Sequence, residues 1–260
     1  MGAEMARHSA GSFPGGVISM VSGPADPAWL ARTARREGFE PDVFEQAWRM
    51  AHILGEIGAH RYLRGRVALK GGTCINFFHT DLPRLSVDLD LNYIGAVDRE
   101  TMLVERPEVE EAVRGLVREH GYMPEDIRHS YAGWTVKFAY EGVGGARGGI
   151  KADVNFLMRV PIYGVEALAL PDVFELGGAR TPCLPIEDVY GGKLKAMCVR
   201  AEPRDVYDAA HFFSTGRAHD AARLRKAFLF YAFMDDASLS TVDLDAIRSI
   251  TAREYDQRER

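Results

Sequence analysis

The segment Leu85-Ser-Val-Asp-Leu-Asp-Leu-Asn-Tyr93 alternates polar and apolar residues, and it follows shortly after Lys70-Gly-Gly-Thr73. Side chains at positions i and i+2 of a strand point to the same face. A strand here sends Val87, Leu89 and Leu91 into a core and holds Ser86, Asp88 and Asp90 on the opposite surface. Two carboxylates this close repel each other unless a cation lies between them. Hard oxygen ligands of this kind suit Mg²⁺, which binds through one or two carboxylates plus substrate phosphates. The pair therefore points to metal-dependent phosphate chemistry, with Asp88 and Asp90 as metal ligands.

The flanking segments place that strand in an α/β sheet. Val67-Ala-Leu69 reads as a short buried strand, Gly71-Gly72 as a tight turn and Thr73 to His79 as the first turns of a helix. From Pro41, the residues Val43, Phe44, Ala47, Trp48, Ala51, Leu54 and Ile57 recur at helical spacing. Glu100 to His120 reads as a charged surface helix that Pro107 should break or delay. Trp134 to Tyr140 and Ile150 to Phe156 alternate as strands around a glycine-rich turn, which predicts a hairpin. Its second strand puts Lys151, Asp153 and Asn155 on one face, so Asp153 is expected to join Asp88 and Asp90 as a third carboxylate. From Ile186 the chain reads as helical, with Pro203 starting one helix and Asp220 capping another. In that last helix, the aromatic run Phe228 to Phe233 is expected to be core. The expected division is a flexible extension over residues 1–25, an α/β domain over 26–180 and a helical domain over 181–260.

Composition narrows the class further. A chain of 260 residues with 47% hydrophobic and 27% charged residues can bury a substantial core. The net charge of −5 argues against a general nucleic-acid coat, so any RNA partner needs a local basic patch. Candidates are Arg32, Arg35, Arg36, Arg61, Arg64 and Arg66 before the aspartate strand, and Arg223, Arg225 and Lys226 near the end. Cys74, Cys183 and Cys198 show no close spacing, which indicates neither a disulfide framework nor a zinc site and predicts a reducing, cytoplasmic setting. No apolar run approaches the roughly 20 residues needed to cross a bilayer, and the N-terminus lacks the layout of a signal peptide. His52, His60, His79 and His211 lack metal-ligand spacing and are read as structural.

The helical half carries cations. Lys193 and Arg200 lie seven apart and share a helix face that can point at phosphates. Arg204 and Asp208 lie four apart, and Asp205 and Asp208 three apart, as a second charged cluster in which Arg204 is expected to pair within its helix.

Taken in order, Leu69-Lys-Gly-Gly-Thr73 with Asn76, Pro83-Arg-Leu-Ser-Val-Asp-Leu-Asp90, Lys151-Ala-Asp153, Gly192-Lys-Leu-Lys-Ala196 with Arg200, and Arg204-Asp-Val-Tyr-Asp208 resemble the AbiEii/AbiGii-type toxin nucleotidyltransferases, MenT-type enzymes included, of the polymerase-β-like superfamily. The resemblance covers roughly residues 67–213. The gap from Gly72 to Asp88 is longer than in many members of the superfamily. The resemblance implies a polymerase-β-like nucleotidyltransferase sheet with helices, followed by a C-terminal helical domain. It also implies a toxin held in check by an antitoxin, transferring nucleotides from NTP with Mg²⁺ to RNA, above all the tRNA 3′ acceptor end.

The implied roles agree with the physical reading. Asp88 and Asp90 hold Mg²⁺, the amides of Gly71, Gly72 and Thr73 cradle phosphates with a hydrogen bond from Ser86, and Lys193 with Arg200 faces the triphosphate. Asp153 serves as third carboxylate or base, and Asp208 positions Lys193 or the nucleotide. Two other readings stay open: a transferase of the same fold acting on a protein or small molecule, and a non-catalytic NTP-binding or interaction protein.

Overall fold

The computed structural model describes residues 26–82, 84–216, 219–234 and 242–249. The expected extension over residues 1–25, and Pro83 of the aspartate motif, lie outside the described residues. Helix α1 (Pro27–Glu37) was not anticipated from sequence. Its start is set by Asp26, whose carboxylate accepts from the Ala28 and Trp29 amides, with proline in the first turn, and it ends on Gly38 in the left-handed conformation. Helix α2 (Pro41–Ala59) spans the predicted periodic stretch.

Strand β1 (Val67–Leu69) is wholly buried. It leads into the short helix α3 (Gly71–Cys74), which continues as a π-helical turn over Ile75–His79. Gly71 therefore opens the helix rather than standing in a separate turn, and its φ of 72° is a conformation that glycine adopts without a side-chain penalty. Strand β2 (Asp88–Tyr93) buries Leu89 and Leu91 and leaves Asp88 and Asp90 half-buried, which is the alternation read from sequence.

Helix α4 (Arg99–Glu119) runs unbroken through Pro107. That corrects the expected break. Pro107 is on the exposed side of the helix, where Leu103, four residues earlier, is also exposed, so the carbonyl that proline cannot satisfy is left to water.

Strands β3 (Met123–His129), β4 (Gly133–Glu141) and β5 (Arg147–Asn155) follow, then β6 (Glu166–Ala169) and β7 (Arg180–Cys183). They form a seven-stranded mixed sheet in the order β3-β4-β5-β2-β1-β7-β6. β4 and β5 make the predicted antiparallel hairpin. β7 pairs parallel with β1 and straddles position 180, where the α/β half was expected to end. The buried residues of α2 pack on the sheet, and at Gly58 the helix comes so close to β7 that an added Cβ would lie 1.7 Å from the Arg180 carbonyl oxygen.

Helices α5 (Ile186–Arg200), α6 (Pro203–Ser214), α7 (Ala221–Phe233) and α8 (Leu244–Ser249) complete the described chain. Asp220 caps α7 as predicted. The aromatic run in α7 departs from expectation. The helix packs on α5 through Leu224 and Ala227, with Ala227 against Gly191, which turns the positions opposite outward. Phe230 and Phe233 are exposed, Phe233 at 79%.

Candidate active site

The two strands that carry the carboxylates lie side by side and in parallel. Asp88 faces Lys151, Asp90 faces Asp153 and Asn92 faces Asn155 in the register of β2 against β5. Neighbouring strands lie about 4.8 Å apart, so the three pairs tile one surface of the sheet. This surface floors a cavity of about 540 Å³ that Gly71, Gly72, Ser86, Lys193, Arg200 and Arg204 also line. Residues from both halves of the sequence therefore meet in one place.

Burial and the neighbouring charge of Asp90 raise the Asp88 carboxyl above its usual range, while Lys151 and Arg204 pull the other way. Such a site favours a bound cation. Among the described residues, no three His, Cys, Asp or Glu side chains converge as a metal cage. Asp153 is instead engaged by the Thr135 hydroxyl and the Lys151 ammonium. The donor set is thus a pair of carboxylates on one strand face, which fits Mg²⁺ completed by substrate phosphates and water.

The helix start lies close against this pair. A Cβ on Gly71 would lie 2.2 Å from Asp90 Oδ2, and one on Gly72 would lie 2.8 Å from Ser86 Oγ. The side chain of Thr73 serves the fold rather than the cavity. It is buried, and its hydroxyl donates to the Asp88 carbonyl oxygen at 2.6 Å, tying helix α3 to the aspartate strand. Only its backbone remains available to a phosphate cradle.

Lys193 is held by two buried acids. Its ammonium donates to Asp205 Oδ1 at 2.8 Å and lies 2.6 Å from Asp208 Oδ2. Arg200 donates to Asp205 through Nε and Nη2 at 2.5 and 3.0 Å. Arg84 grips Asp208 in the same two-pronged way at 3.0 and 2.9 Å. Asp205 and Asp208 are 0% and 2% exposed, so neither could sit there ionised without these partners. Burial pushes the Asp205 carboxyl up, but the hydrogen bonds and charges of Arg200 and Lys193 hold it below the usual range. An ammonium has three donors; two are directed at Asp205 and Asp208, and Lys193 also lines the cavity. The cluster carries three cations to two anions, a surplus suited to phosphate.

Asp208 thus stands behind Lys193 rather than in the cavity lining, and Arg204, expected to pair within its helix, lines the cavity. Reading the sequence gave no role to Arg84, Asn92 or Asn155, and it set Asp205 in a charged cluster with Asp208 without showing that Asp205 holds Lys193. Arg84 and Asp205 both stood inside motif segments already noted. The in-register neighbours of Asp90 could be located only once the pairing of β2 with β5 was known.

A mixed sheet with two aspartates on a central strand, behind a glycine-started helix and facing a helical half, defines a nucleotidyltransferase fold. Residues 53–260 match the family described as nucleotidyl transferase AbiEii toxin of type IV toxin–antitoxin systems, and the chain belongs to that family. Among solved structures, the chain is similar to MenT4, a nucleotidyltransferase toxin from Mycobacterium tuberculosis H37Rv. The TM-score is 0.61 at 22% identity, covering 88% of this chain and 76% of that one. It is also similar to JHP933 from Helicobacter pylori, with a TM-score of 0.46 at 17% identity over 80% of this chain and 92% of that one. No protein of curated function matches the sequence. No helix among the described residues is long and apolar enough to cross a membrane.

Proposed function

We propose that this toxin-family chain uses Mg²⁺ to transfer a nucleotide from NTP to an RNA hydroxyl, the tRNA 3′ acceptor end foremost, in the cytoplasm and under the control of an antitoxin. The observation that carries the reading is the convergence of Asp88, Asp90, Gly71, Gly72 and Lys193 on one cavity. Asp88 and Asp90 would hold Mg²⁺, which when bound would supply neutralisation of the nucleotide's phosphate charge.

The protein's own groups do the rest. The amides of Gly71, Gly72 and Thr73, with the Ser86 hydroxyl, bind the phosphates, since unpaired amides at a helix start favour anions. Lys193 directs its third donor at the triphosphate, and Asp205 and Asp208 keep the ammonium from swinging away. Asp153 accepts the proton of the attacking hydroxyl. The new bond joins that oxygen to the α-phosphorus while the bond to the bridging oxygen breaks, and pyrophosphate leaves. Lys151, half of an ion pair with Asp153, shifts toward phosphate as Asp153 takes the proton. Arg200 and Arg204 at the cavity offer the RNA backbone charge complementarity, which predicts binding that weakens steeply with salt.

The test incubates the protein and an Asp88→Ala variant with total tRNA, Mg²⁺ and each labelled NTP in turn. Label in RNA with the wild type alone supports the reading. NTP binding without label in RNA would turn it toward a protein or small-molecule acceptor or a non-catalytic role.

A further inference from the structure

Asn92 is a buried polar side chain, 3% exposed, that lines the cavity, and its side-chain oxygen has no hydrogen-bond partner among the described residues. Leaving such a group unpaired costs about 1–3 kcal/mol. A half-turn of the terminal amide exchanges its oxygen and nitrogen, so the residue can present an acceptor or a donor to a ligand. Beside it in register, Asn155 spends its oxygen on the Leu157 and Met158 amides at 2.9 and 3.0 Å. The NH₂ of Asn155 is the half of that amide left to a ligand.

The order of groups along the floor is informative. Ser86 and Gly72 stand together at one end, Asp88 and Asp90 in the middle, and Asn92 with Asn155 at the other. Asn92 lies two residues past Asp90, about 7 Å along the strand. A nucleotide has the same order: outer phosphates, α-phosphate, then the sugar bonded directly to it. The 2′ and 3′ hydroxyls of ribose are adjacent, and each donates and accepts, which matches two adjacent amides. Met158 and the ring of Tyr231, which lies across Gly192, also line the cavity and offer apolar surface for the base.

We propose that Asn92 and Asn155 bind the ribose diol of the incoming nucleoside triphosphate and make the enzyme select ribonucleotides over 2′-deoxyribonucleotides. The proposal rests on the nucleotidyltransferase reading above. A deoxynucleotide leaves one amide without its hydroxyl, which is expected to cost roughly tenfold in affinity.

Calorimetric titration of ATP, CTP, GTP, UTP and their 2′-deoxy counterparts with Mg²⁺ and no RNA acceptor tests it. For at least one base, the wild type should bind the ribonucleotide roughly tenfold more tightly than its deoxy form. Asn92→Ala should bring the ribonucleotide down to the affinity of the deoxy form and leave the latter unchanged. Asn155→Ser, whose hydroxyl can still accept from the Leu157 amide, should narrow the gap in the same way. Equal binding of ribo and deoxy forms by the wild type overturns the assignment even if neither variant folds, as does discrimination that survives in folded variants. If the wild type binds no nucleotide at all, the nucleotidyltransferase reading itself falls, and this inference with it.

Discussion

Removing the charge of Asp88 should make the metal-free protein more stable while ending its activity. Asp88 and Asp90 share one strand face two residues apart, about 7 Å along the strand. At an effective dielectric constant of about 20, two unit charges at that distance repel by about 2 kcal/mol. Lys151 and Arg204 oppose this repulsion, leaving on the order of 1 kcal/mol. The sign follows from the direction of the shift. A carboxyl raised in the folded state binds its proton at higher pH than in the unfolded chain. Its charge therefore destabilises the fold above that raised value, and acidification through the window down to its usual 3.8 restores stability.

Asp88→Asn removes the cost at pH 8. In EDTA the variant should melt about 3 °C above the wild type. Saturating Mg²⁺ should then raise the wild type by several degrees and the variant little, because an ion that binds only the folded form stabilises it by mass action. Differential scanning fluorimetry in the four conditions decides. A variant that melts lower than wild type in EDTA, or an equal Mg²⁺ response in both, refutes the reasoning.

Three further outcomes are expected. Arg84→Met strips Asp208 of its two-pronged partner and leaves a buried carboxylate to Lys193 alone, at a cost of about 3 kcal/mol; melting should fall by several degrees and turnover should fall more than nucleotide affinity, and unchanged melting would show that the pair contributes nothing. Gly58→Ala drives a methyl into the Arg180 carbonyl and should cost about 3 kcal/mol, read from urea unfolding, whereas a loss below about 1 kcal/mol would mean that α2 retreats from β7 at little cost. Burial first, then the charges of His120 and Arg49, lowers the His52 imidazole from its usual 6.5 to about 4. The unfolded chain takes up that proton before the folded one, so stability should decline as pH falls from 6.5 to 4, and His52→Gln should flatten the slope in that window.

The face of β2 was legible because strand alternation is a local property. Leu89 and Leu91 on one side with Asp88 and Asp90 on the other needed only the period of two. The hairpin strands were equally plain, being long and bounded by glycines. β7 was not, since Arg-Thr-Pro-Cys is short and contains a proline; it became a strand by pairing with β1 and β6. The outward turn of Phe230 and Phe233 was also hidden, because the small residue Ala227 sets which side of α7 can approach Gly191. In the site, residue types were readable and partnerships were not. Nothing local distinguishes an Asp208 paired with Arg204 four residues away from one paired with Arg84 in another element.

The grip of Arg84 on Asp208 spans 124 positions of chain. A nascent polypeptide that has emerged only as far as α5 already holds Asp88, Asp90 and Lys193, yet it lacks both acids that hold the lysine in place. Fragments that end before α6 are expected to lack nucleotidyl transfer, because Lys193 gains Asp205 and Asp208 only when α6 docks.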